Sequence, residues 1–88
     1  MRPKKRKQLS RGPFTFADFE RAIKFDGWVL HKKKRHYSYR HPTRRGTIQL
    51  DTKWTGVKVS HDPFKGVRDQ GGYTSEELLK LLNGLRLD

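Results

Sequence analysis

Histidines and cationic side chains are concentrated in one stretch of the sequence, between Leu30 and Ile48. Three histidines lie there at intervals of five residues, at His31, His36 and His41. The same stretch contains seven cations and no acidic residue: Lys32, Lys33, Lys34, Arg35, Arg40, Arg44 and Arg45. A histidine can accept or donate a proton near neutral pH, and neighbouring cations can offset negative charge that develops on a phosphate. These residue types predict a phosphate-binding surface with His36 as its candidate acid–base group.

Cleavage of RNA is a reaction that such a set of side chains could perform. RNA carries its own nucleophile, the 2′-hydroxyl, so cleavage needs a base, an acid and charge stabilisation rather than a metal ion. On strands, the five-residue spacing places successive histidines on opposite faces, and the sequence has no cysteine to complete a metal site. We therefore expect neither a metal site nor another cofactor. The spacing alone is equally compatible with His36 being an exposed residue of a basic surface that has no catalytic role.

The length and composition predict one small domain that binds nucleic-acid phosphates. The 88 residues include 32% hydrophobic side chains, and 21 lysines and arginines against 9 acidic residues give a net charge of +12. Residues 1–13 have like charges and no periodic apolar pattern, so we predict a disordered basic arm over 1–13 and a single folded domain over 14–88. Such concentrated positive charge is typical of proteins that bind a phosphate backbone. No apolar run follows the basic N-terminus, so we expect a cytoplasmic protein without a secretion signal or membrane anchor.

The folded part should begin with a helix and continue with three short strands. Thr15 can cap the helix by accepting the backbone N–H of Asp18, Phe14 can pack against Phe19 across the cap, and Asp26-Gly27 should end the helix. Strands are predicted over 28–31, 37–41 and 47–50. A basic connection over 32–35 and a turn over 42–46 should join them.

Alternation along the second strand decides which side chains face solvent. It should turn Tyr37 and Tyr39 toward the core and leave His36 and Arg40 outside. The segment 51–61 reads as extended and partly buried. Asp62-Pro63 can cap a short helix that Gly71-Gly72 would end, and a last helix should start at Thr74, with a capping box closed by Glu77. One helix, a three-stranded antiparallel sheet and one or two further helices predict an α+β two-layer fold.

The sequence resembles the HicA/YcfA-like toxin family at several short motifs. The motifs are Asp26-Gly27-Trp28, Arg35-His36-Tyr37, His41-Pro42 and Gly72-Tyr73-Thr74. Family members pair a helix ending in Asp-Gly-aromatic with a later Gly-Ser-His, an aromatic residue, His-Pro and a closing Gly-Leu-Thr. Lys34-Arg35 stands here in place of the Gly-Ser, and Trp54 stands in place of a later histidine. The likeness runs from Phe16 to Leu79.

The resemblance implies a fold like that of the double-stranded-RNA-binding domain and an mRNA interferase activity with His36 as the catalytic residue. It also implies mRNA as the substrate and a HicB-like antitoxin as the protein partner. One alternative is a non-catalytic module that binds double-stranded RNA or DNA through the same cations. Another is a basic protein whose true partner is an acidic protein.

Overall fold

Three antiparallel strands form one sheet, and three helices cover one of its faces. The fold is that of a computed structural model, which describes residues 9–87. The helices are α1 (Phe16–Phe25), α2 (Asp62–Gly71) and α3 (Ser75–Leu82). The strands are β1 (Val29–Lys33), β2 (His36–Arg40) and β3 (Thr47–Asp51), side by side in the order β1-β2-β3. This order of helix, three strands and two helices confirms the predicted α+β fold. Within residues 9–87, no helix is long and apolar enough to cross a membrane.

Helix α1 begins at a capping box. The Thr15 hydroxyl accepts the backbone N–H of Asp18 at 3.2 Å, and the Asp18 carboxylate accepts the backbone N–H of Thr15 at 2.8 Å. Phe14 and Phe19 pack edge to face across this start, with ring centres 6.0 Å apart. The predicted cap and the predicted aromatic contact are therefore both confirmed, and together they fix where the chain enters the helix.

Burial alternates along the strands and separates a core face from an outer face. Tyr39, Ile48 and Leu50 are fully buried, whereas His36 and Arg40 are exposed. Successive side chains of a strand point to opposite faces of the sheet. The predicted facing of β2 is confirmed, and the outer face remains open to solvent.

Strand β1 is longer than predicted. It continues to Lys33 rather than ending at His31, so Lys32 and Lys33 belong to a strand and not to the connection. The register with β2 shifts between Leu30 and Lys32, which places a β-bulge at His31. A bulge inserts one unpaired residue and reverses the alternation beyond it, which a regular period of two cannot reveal.

The two C-terminal helices begin with different caps. The cap residue of α2 is His61, which makes no side-chain capping bond, and Asp62-Pro63 lies inside the first turn. The prediction that Asp62-Pro63 caps the helix was wrong, because proline and acidic residues are also favoured within the first turn. Gly72 ends α2 in a left-handed conformation, as predicted for Gly71-Gly72. Thr74 and Glu77 form the predicted capping box of α3.

The first described residues pack against the rest of the protein. Ser10 donates its N–H to the Asn83 side chain at 2.8 Å and accepts a hydrogen bond from it at 3.0 Å. Leu9 lies partly buried against the core, and Phe14 forms an isolated β-bridge with Val57. Within the arm predicted over 1–13, Leu9 and Ser10 therefore contact the folded part, and residues 1–8 lie outside the described residues.

Gly27 occupies the sharp connection between α1 and β1. Its φ is +99°, and a Cβ atom there would lie 2.8 Å from Nε2 of His41. We expect Gly27→Ala to lower the free energy of unfolding by about 1–3 kcal/mol, because it strains the backbone and displaces His41. Gly66→Ala in α2 is a matched control, since a Cβ there meets nothing within 4 Å. It should raise stability by roughly 0.5–1 kcal/mol. Urea unfolding of both variants measures the change in the free energy of unfolding. Similar changes in the two variants would contradict a special conformational role for Gly27.

Candidate nucleic-acid interface around His36

His36 is the first residue of β2, and its ring lies on the outer face of the sheet. The side chain is 51% exposed, and Nε2 lies 3.8 Å from Oδ2 of Asp51, the last residue of β3. The two residues are direct cross-strand partners, and such partners interact across an antiparallel sheet. The geometry leaves His36 within reach of a phosphate group and gives it a carboxylate neighbour.

Asp51 is a candidate site residue that the sequence analysis missed. Its Oδ1 accepts the backbone N–H of Lys53 at 2.9 Å, which orients the carboxylate and leaves Oδ2 toward His36. At 3.8 Å the carboxylate is too far away to hydrogen-bond the imidazole, but it can form an ion pair with the ring once the ring carries a second proton. The signal was present in the sequence, because alternation from Ile48 and Leu50 places the next residue on the outer face. The predicted third strand ended one residue too early to include it.

Four of the seven predicted RNA-binding cations lie in the β1–β2 hairpin. We call Lys32, Lys33, Lys34 and Arg35 the basic hairpin. All four side chains are exposed. Among residues 9–87, none of them lies within salt-bridge distance of an acidic group. Their charge is therefore available to an anion from outside the protein.

The bulge at His31 turns the strand cations of the basic hairpin to different sides. Lys32 pairs with Ser38 and shares the outer face with His36. Lys33 pairs with Tyr37 on the core face, and its Nζ lies 5.7 Å from the centre of the Tyr37 ring. Of these two lysines, only Lys32 is therefore placed on the same side as His36.

Lys34 and Arg35 form the tip of the hairpin. The backbone N–H of Lys34 points to the carbonyl of His36 at 3.4 Å. No non-glycine residue within 9–87 has a positive φ. Lys34 and Arg35 therefore form the tip without any left-handed backbone, and the tip carries no strain of that kind.

The remaining three predicted cations lie at the opposite end of the sheet. Arg40 ends β2, and Arg44 and Arg45 follow in the β2–β3 turn. Along the strand, Arg40 lies about 13 Å from His36 at roughly 3.3 Å per residue. The structure therefore divides the seven cations into two groups, and only the basic hairpin adjoins His36.

Arg44 is held by contacts within the protein. Its Nη1 lies 2.9 Å from Oδ2 of Asp26, and its guanidinium lies 5.3 Å from the centre of the Tyr73 ring. The Tyr73 hydroxyl donates to the same Oδ2 at 2.5 Å and accepts the indole N–H of Trp28 at 2.9 Å. We call these four residues the Asp26 cluster. The ion pair between Arg44 and Asp26 therefore connects the β2–β3 turn to the end of α1.

Burial raises the pKa of two tyrosine hydroxyls that donate hydrogen bonds to carboxylates. Burial, and then the hydrogen bond to Asp26, raise the pKa of Tyr73 above its usual value. Burial, and then the hydrogen bond from its hydroxyl to Glu20, likewise raise the pKa of Tyr39. The predicted core position is confirmed for Tyr39, while Tyr37 is only half-buried.

His41 lies just after β2, although the second strand was predicted to include it. Its Nε2 lies 2.8 Å from the carbonyl oxygen of Asp26, and its Nδ1 accepts the backbone N–H of Thr43 at 3.2 Å. Nε2 therefore carries the ring hydrogen and donates it, and His41 is a structural residue. His31 is exposed in the bulge of β1. In the part of the chain that the structure describes, no three histidine, cysteine or acidic residues gather as a metal-binding group.

No family model, curated protein or solved structure was found to match this chain. The geometry around His36 therefore carries the functional inference, because a fold class alone does not specify an activity.

Proposed function

We propose that this protein is a metal-independent endoribonuclease in which His36 is the catalytic residue. Support comes from the open outer face, where the exposed His36 ring lies beside the oriented carboxylate of Asp51 and next to the unpaired charges of the basic hairpin. The proposed substrate is mRNA. The proposed biological setting is a toxin–antitoxin pair with a HicB-like antitoxin as partner.

The proposed reaction uses His36 to move one proton. The imidazole accepts the proton of the RNA 2′-hydroxyl while that oxygen attacks the adjacent phosphorus. The bond from phosphorus to the 5′-oxygen then breaks, and the imidazolium returns the proton to that leaving oxygen. The products are a 2′,3′-cyclic phosphate and a 5′-hydroxyl. The basic hairpin offsets the charge on the phosphate oxygens, and the Asp51 carboxylate, 3.8 Å from Nε2 of His36, pairs with the charged ring.

Among the residues of the motifs that resemble the HicA/YcfA-like family, His36 differs from the others in its contacts. This difference supports a catalytic role for His36. Asp26, Trp28 and Tyr73 are joined by hydrogen bonds in the Asp26 cluster, and His41 binds the Asp26 carbonyl. These residues have a structural explanation. The His36 ring makes no hydrogen bond within residues 9–87, so its place in the motif is better explained by contact with a substrate.

Chelation tests the proposed chemistry most directly. Cleavage of a single-stranded RNA should proceed at the same rate with and without EDTA, because the nucleophile belongs to the RNA and the proton carrier is a side chain. Protein carrying His36→Ala, purified in parallel, controls for contaminating ribonucleases. An activity that EDTA abolishes and magnesium restores would contradict metal independence.

The exposed charge of the basic hairpin also favours a non-catalytic module that binds double-stranded RNA or DNA. Its phosphate contacts would be the same, and its affinity would fall steeply with added salt through counterion release. The two functions differ in what happens to the bound RNA. If the parent protein binds an RNA tightly and the RNA is still intact after prolonged incubation, the protein is a binding module.

A further inference from the structure

A groove lies at the end of the sheet away from His36, between the end of α1 and the segment after α3. Its volume is about 730 Å³, and its lining includes Phe25, Asp26, His41, Leu81, Arg86 and Leu87. Three large apolar side chains are exposed within residues 9–87: Phe25 at 47% lines this groove, and Leu85 at 46% directly precedes the lining residue Arg86 in the sequence. Exposed apolar side chains gathered at a concave surface are typical of an interaction site.

The groove combines this apolar surface with positive charge. The Arg86 guanidinium lies 5.7 Å from the centre of the Phe25 ring. No acidic group of residues 9–87 lies within salt-bridge distance of Arg86. Arg44 lines the other side, with its charge paired to Asp26. Aromatic residues and arginine contribute most to the energy of protein interfaces, so Phe25 and Arg86 form a suitable anchor pair.

We propose that this groove binds an acidic segment of a partner protein. An apolar side chain of the segment packs against Phe25 and Leu87, and a neighbouring carboxylate pairs with Arg86. A second copy of this chain is disfavoured because each copy carries a net charge of +12. An RNA backbone would pair with Arg86 but would leave the exposed Phe25 and the partly exposed Leu87 without an apolar partner. The proposal is independent of RNA cleavage, because the groove includes neither His36 nor the basic hairpin.

A labelled peptide in which glutamates flank leucine and phenylalanine tests the groove. The control peptide keeps the glutamates and carries serine in place of both apolar residues. Arg86→Glu is compared with Lys34→Glu, which makes the same change of charge in the basic hairpin. We expect Arg86→Glu to weaken binding of the apolar acidic peptide by about tenfold, since it removes an ion pair and adds repulsion. Lys34→Glu should change it by less than about twofold, because the hairpin lies beyond a Debye length of about 8 Å.

Phe25→Ala tests the apolar half of the proposal separately. It should weaken the apolar acidic peptide and leave the serine peptide unaffected. The melting temperature of each variant shows whether the fold is retained, and Phe25→Ala decides the matter if Arg86→Glu does not fold. Equal losses from Arg86→Glu and Lys34→Glu, equal binding of the two peptides, or no binding at all would overturn the proposal. Displacement of the peptide by a single-stranded RNA would assign the groove to nucleic acid instead.

Discussion

RNA cleavage by His36→Ala is expected to fall by about 10²–10⁴-fold, the usual contribution of a general acid–base group. The fold should persist, with stability within about 0.5 kcal/mol of the parent, because the ring is half-exposed and makes no hydrogen bond within residues 9–87. RNA affinity should also be largely retained, since the basic hairpin is unchanged. Cleavage rate, melting temperature and RNA dissociation constant, measured together, separate a catalytic role from a structural one.

His31→Ala is the matched control for this experiment. His31 is another exposed histidine of the same sheet, but it lies in the bulge of β1 and has no cross-strand carboxylate. It should cleave RNA at nearly the parent rate. His41→Ala is a poor control, because it removes hydrogen bonds to Asp26 and Thr43 and would destabilise the fold. Undiminished cleavage by His36→Ala would make the non-catalytic binding module the better account.

Tyr73→Phe is expected to lower the free energy of unfolding by about 1–3 kcal/mol while leaving the activity of the folded protein unchanged. The ring still fills its buried site, but the indole N–H of Trp28 loses its acceptor and Asp26 loses a donor. A buried polar group left without a partner costs about that much. Small domains have a total stability of only about 5–15 kcal/mol, so the loss is a large share of it.

Tyr37→Phe provides the comparison for the Tyr73 result. The Tyr37 side chain is half-buried, and its hydroxyl makes no hydrogen bond to any of the described residues. Removing that hydroxyl should change stability by less than about 0.5 kcal/mol. Urea unfolding curves of the two variants give the difference. Similar losses from both would mean that the Asp26 cluster adds little to the fold.

The starts of α1 and α3 were predictable from the sequence because the interactions that make them are local. Thr15 and Thr74 each bind a backbone N–H three residues ahead, so the residues that decide the cap are adjacent in the sequence. The bulge at His31 was not predictable in this way. It depends on how β1 pairs with β2, and it reverses the side of the sheet on which Lys33 lies.

The position of His36 in the candidate site was predictable from the sequence, but the contacts of Asp51 and Arg44 were not. Alternation along β2 sufficed to place His36 on the outer face, because that strand is regular. Asp51 was missed because the predicted strand was one residue short. The pairing of Arg44 with Asp26 joins a turn to the end of a helix. Only the tertiary fold brings these two residues together, so charge counting assigned Arg44 to the RNA-binding group.

The Asp26 cluster connects parts of the chain that are far apart in sequence. Tyr73 lies 47 positions from Asp26 and 45 from Trp28. Closing so long a loop costs chain entropy before the contact can stabilise the protein. The two hairpins of the sheet join residues that are close in sequence, so their closure costs less entropy. We therefore expect these hydrogen bonds to form late in folding. Interactions that are absent from the folding transition state slow unfolding and leave the folding rate almost unchanged. On that expectation, the cluster lengthens the lifetime of the folded molecule and has little effect on how quickly the molecule folds.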